Sequence, residues 1–268
     1  MERRLRILGV VVAVMGLVAV IGGVYGYTRY QGGAAALQGF SQAQNVALTY
    51  DDAGQLIDRG STEEAQGILA LLGETWKWPI NGAELDPNDP LVDTGTEYMY
   101  QMATIAYHTL HGTQNVTLAE TVEYDADGDG AVAPGSPTYS PATLPEGVWD
   151  PAIEGYVEAT FQAGTYAVPV NERYWTEFER SHPLDGPARE QTWTGTVHGL
   201  FAELGVGAST ASSLEMAMAL SFMLIAFGAI FIIAGAGLVW VGLARKVEEA
   251  SGALAEPRSL GREVRPTI

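Results

Sequence analysis

Residues 7–27 read ILGVVVAVMGLVAVIGGVYGY, and residues 216–243 read MAMALSFMLIAFGAIFIIAGAGLVWVGL. Neither stretch contains Asp, Glu, Lys, Arg or His, and each exceeds the roughly 18–20 apolar residues that a helix needs to cross a bilayer. The sequence therefore predicts a membrane protein with two spans. The predicted boundaries are an N-terminus at 1–6, spans at 7–27 and 214–243, a domain at 28–213, and a disordered tail at 244–268.

Small residues recur every seven positions in both stretches. A seven-residue period keeps one narrow stripe on one face of a supercoiled helix. Small residues on such a stripe let two helix backbones approach closely in lipid, where apolar burial gives no driving force. We therefore expect the two spans to pack as an antiparallel pair along Gly9, Gly16 and Gly23 in the first span and Ser221, Gly228, Gly235 and Gly242 in the second.

The basic residues beside the spans predict the orientation of the chain. Arg3, Arg4 and Arg6 precede the first span, and Arg245 and Lys246 follow the second. Because basic flanks stay in the cytoplasm, both termini are predicted to be cytoplasmic and the central domain extracytoplasmic. The apolar core of the first span is longer than that of a signal peptide, which favours an uncleaved anchor in the plasma membrane.

The central domain is strongly acidic and lacks cysteine. Residues 28–213 hold 26 Asp and Glu against 6 Lys and Arg, a formal charge of −20, while the whole chain carries −18. This charge argues against binding nucleic acid and suits divalent cations, a basic partner or simply a solvated surface. The absence of cysteine excludes disulfides and cysteine-ligated metals, so the domain depends on its hydrophobic core.

Local patterns predict an α+β domain with one small antiparallel sheet and about four helices. Two capping boxes, Ser61–Glu64 and Thr94–Glu97, each precede a run of apolar residues that is typical of a helix. The other predicted elements are a strand at 115–124, a β-hairpin that turns at Ala163–Gly164, and helices at 171–180 and 188–204.

The segment DADGDGAV resembles the first half of a calcium-binding loop. Asp125, Asp127 and Asp129 stand at alternate positions and Gly130 permits a sharp turn, so three carboxylates could converge on a hard cation. The match then fails, because the twelfth position is Ser136 instead of a bidentate Glu. Calcium is the only cofactor that the sequence suggests here, and a solvated acidic loop without an ion is the alternative.

His108 and His111 lie three residues apart on a predicted helix and therefore share a face. Together with a further histidine or an acid they could hold zinc or iron. Two histidines near a helix C-terminus also interact favourably with the helix dipole, and this alternative needs no metal.

Motifs for nucleophilic catalysis and for nucleotide binding are absent from the sequence. The leading hypothesis is therefore a non-enzymatic envelope protein whose membrane-anchored domain binds a protein partner or supports a membrane complex. A calcium- or ligand-binding module built on the three aspartates is the second hypothesis. A membrane-anchored metal-dependent enzyme that uses the two helical histidines is the third.

Four segments of the domain together resemble an uncharacterised family of two-span membrane proteins from high-GC Gram-positive (actinobacterial) species. They are LDPNDPLVDTGTEYMYQMATIAYHTLHGTQ (85–114), LPEGVWDP (144–151), GTYAVP (164–169) and HPLDGPAREQTWTGTVHGLFAELGVG (182–207). The resemblance implies a plasma-membrane location with an extracytoplasmic domain. It implies no active-site residue.

Overall fold

The structure is a computed structural model that describes residues 2–126, 128, 132–143, 149–150 and 155–255. Its contacts divide the chain into two compact units. The first unit consists of Met1–Ala36 and Ser213–Ile268, and the second of Leu37–Ser212.

The described residues form five α-helices and nine short strands. The helices are α1 (Glu2–Gln44), α2 (Thr62–Ala70), α3 (Gly95–Leu110), α4 (Asp185–Thr192) and α5 (Gly195–Ala255). The strands are β1 (Thr49–Tyr50), β2 (Leu56–Ile57), β3 (Thr113–Leu118), β4 (Val122–Tyr124), β5 (Thr138–Tyr139), β6 (Trp149–Asp150), β7 (Gly155–Tyr156), β8 (Ala159–Phe161) and β9 (Gly164–Pro169). A π-helical turn at Leu71–Thr75 continues α2, and two single 3₁₀ turns lie at Gly82–Glu84 and Trp175–Glu177.

Two helices, α1 and α5, are long and apolar enough to cross a membrane. Their most apolar windows have mean hydropathies of 2.8 and 2.6, yet only 17% and 11% of those windows are buried. The core helix of a soluble protein would bury most of such a surface, whereas a helix in lipid leaves it on the outside. Both helices extend beyond the predicted spans, and α5 continues to Ala255, within the segment predicted as a tail.

Several glycines of the predicted stripes lie close to backbone atoms of the other apolar helix within the first unit. A Cβ atom built on Gly16 would lie 2.5 Å from the carbonyl oxygen of Gly228, and one built on Gly228 would lie 2.6 Å from the carbonyl oxygen of Gly16. A real Cβ atom does not fit at such distances. The same closeness holds for Gly9 with the Gly235 carbonyl and for Gly23 with the Ser221 carbonyl, both at 2.7 Å, and Gly242 is buried.

The sheets of the second unit are small and mostly antiparallel. β3 pairs with β9 in one antiparallel sheet, and β4 pairs with β8 in another. β5 adds to β8 in parallel. The predicted hairpin is wrong, because β8 and β9 pair with earlier strands instead of with each other. The chain bends there at Gly164, whose φ of +147° suits glycine.

Two helix predictions differ from the structure. Residues 171–180 contain only a 3₁₀ turn, because Asn171 and Glu172 adopt left-handed φ angles of 52° and 60° that no helix continues. The helix predicted at 188–204 is divided after Thr192, since the Thr194 hydroxyl accepts a hydrogen bond from the Val197 amide and starts α5. Gly205, the predicted end, lies inside α5.

Both predicted capping boxes mark helix starts. For α3 the box is complete: the Thr94 hydroxyl accepts from the Glu97 amide, and the Glu97 carboxylate accepts from the Thr94 amide at 2.9 Å. For α2 only half of the box forms, with the Ser61 hydroxyl accepting from the Glu64 amide at 3.2 Å. The Ser61 amide donates instead to the Asp58 carbonyl at 2.8 Å, which leaves the Glu64 carboxylate free to point elsewhere.

The second unit has two adjoining hydrophobic clusters. One cluster joins the end of α3 to strands β3, β4, β8 and β9 and to α4, and it includes Phe161, Tyr166 and Leu184. The other joins α2 to the first half of α3 around Ile68 and Leu72, both fully buried. α3 contributes to both clusters and fixes α2 beside it, which positions the candidate site described next.

Candidate metal centre

A tight turn places the carboxylate of Asp58 at the entrance to α2. Asp58 and Ser61 exchange two backbone hydrogen bonds of 3.0 and 2.8 Å around Arg59 and Gly60. Both central residues have positive φ, 47° and 84°, which is the geometry of a two-residue hairpin turn with an inverted twist. Gly60 adopts this conformation without strain. The turn therefore holds Asp58 within reach of the first turn of α2.

Glu64 stands in that first turn of α2. Its amide is bound by the Ser61 hydroxyl, and its carboxylate takes no part in the cap. The Oε2 atom of Glu64 is buried and has no hydrogen-bond partner among the described residues. A buried carboxylate oxygen without a partner is costly, which marks Glu64 as a group that needs a positive neighbour.

His108 completes the group from the last turn of α3. Its Nε2 atom lies 2.6 Å from Oδ2 of Asp58, although the two residues are 50 positions apart. One ligand atom from each of Asp58, Glu64 and His108 lies within 4.8 Å of the other two. The side chains of Asp58 and His108 keep only 14% and 19% of their exposure, so this site is largely closed to solvent.

The packing of α2 against α3 brings the three residues together. A Cβ atom at Gly67 would lie 2.9 Å from the ring of Tyr107, so only glycine allows the two helices this distance. The ring of Tyr107 also lies edge-on to the imidazole of His108, with centroids 5.6 Å apart. Glycine at 67 therefore sets the separation of α2 and α3.

A buried phenol adjoins the group. Tyr100, only 3% exposed, has a hydroxyl without a hydrogen-bond partner among the described residues. Burial raises the pKa of Tyr100 far above its usual value, and the negative charge of Asp58 acts in the same direction. The phenol thus stays protonated, as a neutral donor beside the carboxylates.

His111, the other histidine of the predicted pair, does not join this group. Its Nδ1 atom lies 2.7 Å from the carbonyl oxygen of Tyr107, one turn earlier in α3. Its Nε2 atom lies 3.6 Å from the carboxylate of Glu172, and both side chains are largely exposed. The structure therefore unites His108 with two acids and leaves His111 on the surface.

The predicted calcium loop falls mostly outside the described residues, which include Asp125 but neither Asp127 nor Asp129. The Oδ1 atom of Asp125 accepts a hydrogen bond from the Gly128 amide at 2.7 Å. Gly128 has a φ of +77°, so the chain turns here in a conformation that favours glycine. The calcium prediction stays a prediction.

A second polar cluster lies around α4. Asp185 is fully buried, and it accepts from Nη1 of Arg173 and from the Glu179 amide, both at 2.7 Å. His182, only 1% exposed, accepts from the Leu184 and Asp185 amides at 3.2 Å through Nδ1. These bonds secure the start of α4, so we interpret this cluster as structural.

Sequence reasoning missed Asp58 and Glu64. Gly60, one residue before Ser61, signals a tight turn directly before a capping box, and that signal places Asp58 near the start of α2. The spacing of Glu64 from Ser61 is that of a capping box, so the sequence predicts a capping role for its carboxylate. Their meeting with His108 follows from the packing of α2 on α3, which no local pattern reports.

No protein-family model, no curated protein and no solved structure matches the chain significantly. The resemblance to two-span actinobacterial proteins therefore stays a prediction from the sequence. What the protein does has to be inferred from its two membrane-compatible helices and from the geometry of Asp58, Glu64 and His108.

Proposed function

We propose that this protein is a membrane-anchored metal-binding domain. In this proposal α1 and α5 cross the bilayer, and the domain between them holds one divalent transition-metal ion on Asp58, Glu64 and His108. One observation carries the proposal: three ligand atoms from distant parts of the chain converge within 4.8 Å, and one carboxylate oxygen among these residues is buried without a partner.

The charges of the three side chains favour a divalent ion. Two carboxylates in a largely closed site repel each other and lose hydration. A divalent cation neutralises both charges. Two oxygens and one imidazole nitrogen suit zinc, iron or manganese, whereas calcium and magnesium prefer oxygen alone. On a nitrogen-containing site zinc should bind more tightly than manganese.

The short contact between Asp58 and His108 indicates how the ion would enter. Two ligands of a tetrahedral zinc ion lie roughly 3.3 Å apart, because zinc bonds to nitrogen and oxygen measure about 2.0–2.2 Å. The observed distance of 2.6 Å between Oδ2 of Asp58 and Nε2 of His108 is that of a hydrogen bond, with a proton between the two atoms that would both bind the metal. To bind zinc, His108 would carry its ring proton on Nδ1, so that Nε2 presents a lone pair to the ion, and Nε2 and Oδ2 would separate slightly.

The ion would join the β2–α2 turn to the far end of α3. We infer that this cross-link stabilises a platform for a protein partner, in keeping with the non-enzymatic role expected from the sequence. Three protein ligands leave a fourth position for water or a small ligand. The low exposure of Asp58 and His108 restricts that position to small molecules.

The metal proposal is tested with the full chain in detergent micelles. After chelation, zinc is titrated against a competing fluorescent chelator for the wild type and for His108→Gln, Glu64→Gln and His111→Gln. We expect one zinc per wild-type chain and a loss of affinity of at least roughly 10–100-fold in the first two variants. His111→Gln is the matched control, since His111, the residue directly after α3, lies outside the group and faces Glu172. Equal losses at His108 and His111, or no stoichiometric binding, would refute the site.

We further propose that α1 and α5 form an antiparallel pair in the bilayer along the seven-residue stripes. Support comes from the backbone distances at Gly9, Gly16 and Gly23, where an added Cβ atom meets the opposite helix. Close backbone approach at small residues is a usual basis of helix association in lipid.

The topology proposed from the basic flanks places both termini in the cytoplasm and the domain outside. Because the chain has no cysteine, single cysteines report sidedness without background. In intact cells a membrane-impermeant maleimide should label Glu120→Cys, on the exposed surface of the domain, and should label Arg3→Cys only after permeabilisation. The reverse labelling pattern would overturn this topology.

A further inference from the structure

An apolar groove runs between α1 and α5 at the end of the first unit that contains the N-terminus. Its volume is about 490 Å³. Its walls include Val10, Val14 and Leu17 of α1 and Val239, Trp240 and Leu243 of α5. Val10, Val14 and Leu17 are spaced by four and three positions, and Val239 and Trp240 precede Leu243 by four and three, so each set lies along one face of its helix. The groove therefore follows the axis of the helix pair.

A cation stands at one end of this groove. Arg6 lies one turn before Val10, so it continues the row of α1 residues that lines the wall. The Nε atom of Arg6 is buried and has no hydrogen-bond partner among the described residues. The Nε–H group is therefore a buried donor without an acceptor, and an anionic oxygen would satisfy it.

The sequence adds further positive charge at the same end. α1 and α5 are antiparallel where Gly9 meets Gly235, so the start of α1 lies beside the later part of α5. Arg245 and Lys246 follow Ala244 in the sequence of α5, and Arg3 and Arg4 precede Arg6. Residues 1–6 and 244–250 hold these five basic residues and three acids, a formal charge of +2 in a chain whose net charge is −18.

We propose that this groove binds an anionic phospholipid, with one acyl chain along the apolar walls and the phosphate on the guanidinium of Arg6. A lipid fits both features. Its acyl chain is flexible and apolar, and its phosphate carries a negative charge that would pair with the positive charge of Arg6. Trp240, 71% exposed, belongs to the residue type that anchors helices at the headgroup level.

This inference rests on the membrane insertion that the proposed function includes, and it is independent of the metal site. Insertion is tested separately by extracting membranes with alkaline carbonate. A chain that leaves the membrane refutes insertion and the lipid inference with it. A chain that stays in the membrane without lipid selectivity refutes the lipid inference alone.

Native mass spectrometry of the full chain in detergent tests the selectivity. The probes are phosphatidylglycerol and phosphatidylcholine with identical acyl chains. We expect preferential retention of phosphatidylglycerol and a loss of this preference of about fivefold in Arg6→Gln. Arg29→Gln is the matched control, because it removes an exposed positive charge from α1 outside the groove and should keep the preference. Equal retention of both lipids, or equal behaviour of the two variants, would overturn the proposal.

A second pair of variants tests the groove itself. Val14→Trp fills the groove and should lower the retention of both lipids, whereas Val18→Trp adds the same bulk at a 65% exposed position outside it. Helix content by circular dichroism shows that each variant folds. If Val14→Trp instead breaks a dimer and leaves lipid retention unchanged, the groove is an interface between two copies and the lipid proposal is wrong.

Discussion

Acid should destabilise the second unit through His182. The imidazole is 1% exposed, and it lies 4.5 Å from the ring of Tyr124 and 5.1 Å from that of Phe161, centroid to centroid. Burial lowers the pKa of His182 to about 3; the charge of Arg173 acts in the same direction and that of Glu179 opposes it. The Nδ1 atom accepts two amide hydrogen bonds, which also requires a ring nitrogen without a proton.

The sign and size of the effect follow from proton linkage. The unfolded chain binds a proton at His182 near the ordinary pKa of 6.5, whereas the folded chain does so only near 3. Stability is therefore complete above pH 6.5 and falls as the pH decreases toward 3. At pH 5 the loss is about 2 kcal/mol, since 1.5 pH units at 1.36 kcal/mol each separate pH 5 from the unfolded pKa.

Denaturant unfolding of the full chain in micelles, followed by tryptophan fluorescence at pH 7 and pH 5, measures this loss. His182→Asn keeps a hydrogen-bond acceptor but does not titrate, so it should be less stable at pH 7 and lose about 2 kcal/mol less than the wild type on acidification. His198→Gln, at an exposed position, should keep the wild-type loss. An unchanged loss in His182→Asn would refute the assignment.

Three further changes should alter the stability of the chain. Gly16→Leu should lower the melting temperature in micelles because its Cβ would meet the Gly228 carbonyl, whereas Gly22→Leu, with no atom within 4 Å of its added Cβ, should not. Asp185→Asn removes the fully buried negative charge that pairs with the guanidinium of Arg173 and should cost roughly 3–5 kcal/mol in denaturant unfolding. Thr94→Ala should cost about 1 kcal/mol in the same assay, through loss of the α3 cap.

Features encoded by neighbouring residues could be predicted from the sequence. The apolar runs predicted both membrane-compatible helices, because composition over about 20 residues is itself the physical signal. The Thr94–Glu97 pattern predicted the start of α3, since both hydrogen bonds of that cap join residues three apart.

Features that depend on distant contacts could not be predicted in this way. The hairpin expected at Gly164 does not form, because β8 and β9 pair with strands at least 35 residues earlier, β4 and β3 respectively. Glu64 resembles a capping residue, yet the Ser61 amide is already bound to the Asp58 carbonyl. Only the packing of α2 on α3 reveals that its carboxylate faces His108.

X-ray absorption at the zinc edge, on the full chain loaded with one equivalent of zinc, tests the metal proposal most directly. It counts the imidazoles bound to the ion and measures the bond lengths. We expect one imidazole nitrogen, from His108, with the remaining ligands oxygen, all at about 2.0–2.2 Å. Two imidazoles, or a shell of oxygen alone, would contradict the proposed site, because Asp58 and Glu64 are joined there by a single histidine.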